Sequence, residues 1–221
     1  MTDSYELFLA LKNVGHIKND RELLWWPQSG SFEVVVGAIL TQQTRWEKVE
    51  LSLARLKKND LLNLESLANI DQEVLAALIK PSGFYNTKAK NLKKLCQNIY
   101  EEYESFEDFC LHVNRDWLLS QKGIGQESAD SILCYACKKE VMVVDSYTNR
   151  LVSKFGYEFE SYQELQEWLI SGIESNFEKI ANLYNNEVDL NTIYARFHGK
   201  IVEFCKENSK GKEIDIGTLE S

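Results

Sequence analysis

Gly123-Ile124-Gly125 places one apolar residue between two glycines, after a helical pattern that stops near Lys122 and before another that starts at Gln126. Glycine admits positive φ and close backbone approach. The N–H groups at the start of the second helix suit a phosphate oxygen. Contacts of that kind hold nucleic acid without reading its sequence. A plain helical corner with no ligand produces the same spacing, so both readings stay open on these residues alone. Asp145 precedes Ser146-Tyr147-Thr148 and suits the N-cap of a helix beginning there. Lys200 stands in register with Ile193, Phe197 and Phe204 on an apolar stripe. It is either a stem that snorkels from the edge of the core or a buried amine whose burial favours the neutral form. A neutral buried amine is open to carbamylation by CO₂. Cys134 and Cys137 form a C-x-x-C within a helical pattern, without the second pair or spaced histidines that a metal site requires. No metal is expected, and buried thiols are the simpler expectation for the pair.

Apolar residues recur at helical spacing almost throughout. After Ser31 they fall at Phe32, Val35, Val36, Ile39, Leu40, Trp46, Val49, Leu53 and Leu56, as one long or broken helix. Two more clear stripes are Tyr162, Leu165, Trp168, Leu169, Ile173 and Leu190, Ile193, Tyr194, Phe197, Ile201, Phe204. Val141 to Val144 is a strand-like run too short to build a sheet. With 44% hydrophobic and 27% charged residues and two prolines in 221, the chain reads as globular and all-α. It lacks both an 18-residue apolar run and the basic start of a signal peptide, so the expected location is cytoplasmic, with no membrane association. Five cysteines without a secretion signal argue against disulfides. The net charge of −9 weighs against nucleic-acid binding, but charge is segregated. From Lys80 to Tyr100, both included, there are five lysines and no acid, and Lys88 among them is a candidate phosphate contact.

Several motifs carry a family resemblance, in a fixed order over residues 30 to 200. Leu118 to Asp130 resembles the helix-hairpin-helix of the endonuclease III superfamily, whose usual form is L-P-G-V-G-R-K-T-A. Val144-Asp145-Ser146 is similar to its V-D-T. Ser82-Gly83-Phe84-Tyr85-Asn86-Thr87-Lys88-Ala89 is similar to G-L-Y-N-S-K-A. Leu40-Thr41-Gln42-Gln43-Thr44 is similar to L-S-A-Q-A-T, and His198-Gly199-Lys200 to H-G-R. The resemblance implies a two-lobed all-α DNA glycosylase with a DNA cleft between the lobes. It places a central lobe at 21–135 and a second lobe at 1–20 plus 136–208. Residues 209–221 are expected to form a disordered tail. It implies that Asp145 is catalytic, and that Gln42 fills the gap left by a flipped nucleotide. Lys122, Gly123, Ile124, Gly125 and Gln126 are then the DNA-binding hairpin. His198 is expected to be structural.

Three departures narrow the activity. The nucleophilic lysine of bifunctional members aligns with Glu127, and a carboxylate cannot form a Schiff base. Only Cys205 follows the H-G-R-like motif, so no four-cysteine iron–sulfur cluster is expected. Trp25-Trp26-Pro27 and Trp46 either pack in a core or, with Lys200, form a pocket that stacks a flipped base. Electron-rich indoles favour a cationic alkylated purine. The arrangement resembles small bacterial 3-methyladenine DNA glycosylases of the endonuclease III type. The expected protein is a monomeric, monofunctional enzyme acting on double-stranded DNA with damaged bases, with no cofactor. Two alternatives stand: a glycosylase for oxidised or mismatched bases, and a non-catalytic helix-hairpin-helix protein that binds DNA.

Overall fold

A computed structural model describes residues 1–15, 23–184, 188–211 and 213–220. Its helices in chain order are α1 (Ser4–Asn13), α2 (Phe32–Leu40), α3 (Trp46–Lys58), α4 (Leu64–Asn69), α5 (Gln72–Leu78), α6 (Tyr85–Tyr103) and α7 (Phe106–His112). There follow α8 (Arg115–Ser120), α9 (Gln126–Ser131), α10 (Ser146–Lys154), α11 (Tyr162–Glu174), α12 (Phe177–Asn182) and α13 (Leu190–Asn208). The stretch expected as one long or broken helix after Ser31 is broken, at Thr41–Arg45. Among the described residues Val141 to Val144 belongs to no helix and no strand.

The chain divides into two compact units, one of residues 28–138 and the other of 1–27 with 139–221. The expected boundary at residues 20 and 21 lies outside the described residues. The observed division differs in substance, because it puts Trp25, Trp26 and Pro27 with the terminal segments rather than with the central lobe.

In the central unit α6 is the long element, and α4, α5 and α7 pack on it. Its buried stripe of Ala89, Leu92, Leu95 and Ile99 repeats at helical spacing and supplies the hydrophobic driving force. In the other unit α13 is central. It buries Ile193, Phe197, Ile201 and Phe204 and also His198, Gly199 and Lys200, so it is covered on more than one face. Around it pack Leu7, Phe8 and Leu11 of α1, Leu151 and Val152 of α10, and Leu165, Leu169 and Ile173 of α11. Phe8 meets Phe197 edge-on at 5.4 Å. A helix buried this way carries its polar residues into the interior, which is why the H-G-R-like motif matters.

The tail departs from expectation. Ser209–Lys210 pairs antiparallel with Glu213–Ile214, a short turn follows at Gly217–Leu219, and Ile214 and Leu219 are buried in the α13 core. Ile216, partly buried, packs against the same core, so three apolar residues in an otherwise polar stretch anchor it.

Candidate functional site

The hairpin is built as its glycines require. Asn114 caps α8 by accepting from Trp117 N at 2.8 Å, and Gly123 then turns the chain with φ +85°. A Cβ there would lie 2.2 Å from Asn91 Nδ2, so both conformation and space select glycine. Ile124 is buried, whereas Lys122, Gly125, Gln126 and Glu127 are exposed. At Gly125 a Cβ would meet nothing within 4 Å, so that approach is open. Arg115 on α8 holds Asp130 beyond the turn with two bonds, Nε to Oδ1 at 2.7 Å and Nη2 to Oδ2 at 3.1 Å. Asp130 is fully buried. Removing Arg115 would take two charge-assisted bonds from a buried carboxylate, each worth about 1.5–3 kcal/mol.

Two further turns in the same unit carry exposed side chains on left-handed backbone. Gln43 has φ +52° and Phe84 has φ +44°, and Phe84 is 67% exposed. Left-handed geometry costs a non-glycine residue about 1–2 kcal/mol, and exposing a phenylalanine forgoes its burial. Gln42 is tied down: its Nε2 donates to Gly123 O and to Ser128 Oγ, each at 2.9 Å.

Asp145 caps α10, and its Oδ1 accepts from Thr148 N at 2.8 Å and Thr148 Oγ1 at 2.9 Å. Its Oδ2 faces His198 Nε2 at 3.6 Å. Burial pushes the Asp145 carboxyl up, but His198 and the two Thr148 donors outweigh it and hold it below the ordinary carboxylate value. The group is therefore an anion at neutral pH. His198 meets the Trp25 ring edge-on at 5.4 Å, and Trp25 meets Trp26 the same way at 6.2 Å.

Trp25 has φ +71°, a strained value for a bulky residue. It is held by Nε1 donating to Glu203 Oε1 at 3.2 Å and by close approach to Gly199, where a Cβ would lie 2.4 Å from Trp25 Cγ. Trp26 is buried, Trp25 is partly exposed and Pro27 is exposed. Thus His198 faces the carboxylate and Gly199 admits the indole. Lys200 is buried one residue further on. Burial first, then Lys12 and Arg196, lower the Lys200 amine to about 8.

Residues 36–169 match the HhH-GPD superfamily base excision DNA repair protein family. The chain belongs to that superfamily. It is 42% identical over 197 residues to the provisionally named DNA repair glycosylase MJ1434 of Methanocaldococcus jannaschii, across 86% of this chain and 83% of that protein. The crystal structure of H. pylori 3-methyladenine DNA glycosylase bound to 1,N6-ethenoadenine is similar at a TM-score of 0.90 and 48% identity, over 94% of this chain and 99% of that one. A non-covalent endonuclease III–DNA complex shares the fold, with a TM-score of 0.74 at 18% identity over 100% of this chain and 95% of that one. This protein is a DNA glycosylase of the HhH-GPD type.

Within the glycosylase, the positions expected from sequence divide sharply. Asp145, Trp25, Trp26 and Lys200 fall in one unit, the first two joined through His198. Trp46 opens α3 in the central unit and is partly buried. Lys88 is not a phosphate contact. It is 4% exposed, and its Nζ donates to Leu40 O at 2.7 Å, Thr44 Oγ1 at 2.8 Å and Ser82 O at 2.8 Å. Its charge serves the chain's own carbonyls, which sequence composition does not reveal. Gln42 is committed to the hairpin and its neighbour Gln43 is the one that projects. His198, expected to be structural, touches the carboxylate. The signals for these residues were their places in the Q-A-T-like, G-L-Y-N-like and H-G-R-like motifs.

Cys205 is the one cysteine after Gly199. It is buried, with Sγ 3.7 Å from Tyr147 O, and burial pushes its thiol up to about 12, far from a ready thiolate ligand. Among the described residues no helix is long and apolar enough to cross a membrane.

Proposed function

We propose that this glycosylase hydrolyses the N-glycosidic bond of alkylated purines, chiefly 3-methyladenine, in double-stranded DNA, as a monofunctional enzyme. The observation that carries the reading is the run Trp25–His198–Asp145, an aromatic ring and an ionised carboxylate joined by one imidazole. The likeness to the H. pylori enzyme supports the substrate class. An N3-alkylated adenine carries positive charge, so an indole attracts it by cation–π interaction, worth about 2 kcal/mol when desolvated. It leaves without prior protonation. Asp145 then stabilises the oxocarbenium-like sugar and orients the attacking water through Oδ2. The proton released from water passes to the carboxylate or to solvent. The exposed hairpin N–H groups take phosphate, and Gln43 and Phe84 enter the space the flipped nucleotide leaves. The defining experiment incubates alkylated, oxidised and mismatched duplexes with the protein and identifies free bases by chromatography. Release of oxidised or mismatched bases alone, or binding with no release, would overturn this reading.

Glu127 on α9 is exposed, and the family resemblance aligns it with the Schiff-base lysine of bifunctional members. The expected product is an intact strand bearing an abasic site. Borohydride added during turnover should trap no covalent complex, and the strand should break only on later alkali treatment. A trapped adduct on a denaturing gel would show a lyase.

Lys200 is buried in a cationic setting set by Lys12 and Arg196. We propose that it can take up CO₂: the Nζ lone pair forms an N–C bond, one proton leaves to solvent, and the resulting carbamate anion suits those cations. A mass increase of one CO₂ at this residue is the sign to look for. The unmodified amine has a clear linkage signature. Its folded value of about 8 lies below the unfolded value of about 10.4. Between them the unfolded chain binds more protons, so the burial penalty is full below pH 8 and is relieved as pH rises to about 10.4. Lys200→Met should therefore stabilise the protein by about 1–3 kcal/mol at pH 7, and by much less at pH 10. Urea denaturation at both values checks this, and an equal gain at both would count against a buried ammonium.

A further inference from the structure

Lys88 sits where two turns converge. One turn, residues 41–44, carries Gln43, and the other, residues 80–84, carries Phe84. Both residues are exposed and both have left-handed backbone. The Lys88 ammonium donates to Leu40 O at the end of α2, to Thr44 Oγ1 in the first turn and to Ser82 O in the second. Thr44 Oγ1 in turn donates to Ser82 O at 2.5 Å. The backbone N–H of Lys88 donates to Phe84 O at 2.9 Å. One residue thus ties both turns and also the carbonyl of Phe84 itself. An apolar side chain would fill the same volume without the cost of burying a cation. What the ammonium adds is a three-way, charge-assisted bond between segments 40 residues apart in sequence.

We propose that Lys88 is a positioning residue, which locks the Gln43 turn to the Phe84 turn at a fixed spacing so that the two side chains enter the DNA stack as one unit. The inference rests on the reading that Gln43 and Phe84 occupy the space left by a flipped nucleotide. It assigns to a buried lysine a role that neither DNA contact nor core packing describes. With the bond intact, insertion of one side chain brings the other to its place. Without it, each turn is free to relax from left-handed geometry, and the pair loses its register.

The test uses the full chain and a duplex with 2-aminopurine opposite a tetrahydrofuran abasic analogue. Fluorescence of 2-aminopurine rises when the base is unstacked, and anisotropy of a labelled strand reports binding. Wild-type protein at saturation should raise the emission. Lys88→Met should cut that rise by about half or more at saturating protein, while Lys88→Arg should restore part of it. A residue that only supports folding would lower the melting temperature without changing the amplitude at saturation. A wild-type amplitude in Lys88→Met therefore overturns the proposal. If Lys88→Met does not fold, Thr44→Val removes one acceptor and the link to Ser82. It should lower the amplitude in the same direction, and an unchanged amplitude there overturns the proposal equally. Gln43→Ala and Phe84→Ala separate the two levels. Loss of the rise in both, with Lys88→Met unaffected, sinks the role of Lys88 alone. A full rise in both sinks the stack-filling reading, and this inference with it.

Discussion

Asp145→Asn is expected to lower single-turnover base release by about 10²–10⁴-fold while leaving the fold and duplex affinity near wild type. The reason lies in the two separate duties of the carboxylate. Oδ1 caps α10 through Thr148 N and Thr148 Oγ1, and asparagine caps about as well as aspartate. Oδ2, toward His198, is where charge is needed, because a neutral amide neither balances an oxocarbenium ion nor accepts a proton from water. Chromatographic release of free base from alkylated duplex, beside a thermal melt, separates the two duties. Wild-type release by a folded Asp145→Asn protein would remove Asp145 from the chemistry. The pH profile offers a second check. Since His198 and Thr148 together hold the carboxyl below its ordinary value despite burial, release should persist through mildly acidic pH. It should fall only as pH drops below the usual carboxylate range. Replacing His198 with asparagine should move that acidic limb upward.

Gly199→Ala is the second large effect. A methyl group at this position would lie 2.4 Å from Trp25 Cγ and 2.8 Å from Trp25 Cβ and Cδ1. No carbon contact tolerates that distance, so the indole must move. Trp25 has little freedom to absorb the shift: its backbone is already at φ +71°, and its ring is fixed by Glu203 and by the edge of His198. Overpacking of this kind costs about 1–3 kcal/mol of stability. The larger consequence is for the base site, since a ring displaced by about 1 Å loses on the order of 10²-fold in rate. Release assays on alkylated duplex, together with quenching of tryptophan fluorescence by free alkylated base, measure both parts. A folded Gly199→Ala protein with unchanged quenching and release would show that Trp25 does not form the base site.

The hairpin was legible in the sequence because its constraints are local. Positive φ at Gly123, a single buried Ile124 and a helix start at Gln126 are properties of consecutive residues. Asp145 was legible for the same reason, as an N-cap three residues before Thr148. The tail from 209 is less legible, because its polar composition hides three residues, Ile214, Ile216 and Leu219, that the α13 core accepts. Lys88 departs from expectation for a related reason. A lysine in a basic stretch reads as surface charge, and nothing in that stretch shows that Leu40 O, Thr44 Oγ1 and Ser82 O converge on it.

Sequence by itself determined the helical periodicity, the glycine turn, the capping carboxylate and a carboxylate, Glu127, at the place where the resemblance expects a lysine. All of these depend on residue type and near-neighbour spacing. Tertiary structure decided which polar groups lie inside and what they meet. It brought His198 to Asp145, cleared Gly199 for Trp25 and turned Lys88 inward. It also committed Gln42 to the hairpin, leaving Gln43 and Phe84 exposed. These pairings join residues tens to more than a hundred positions apart, and burial sets their chemistry, which is why the meaning of the Gly123–Asp145 stretch became complete only in the fold.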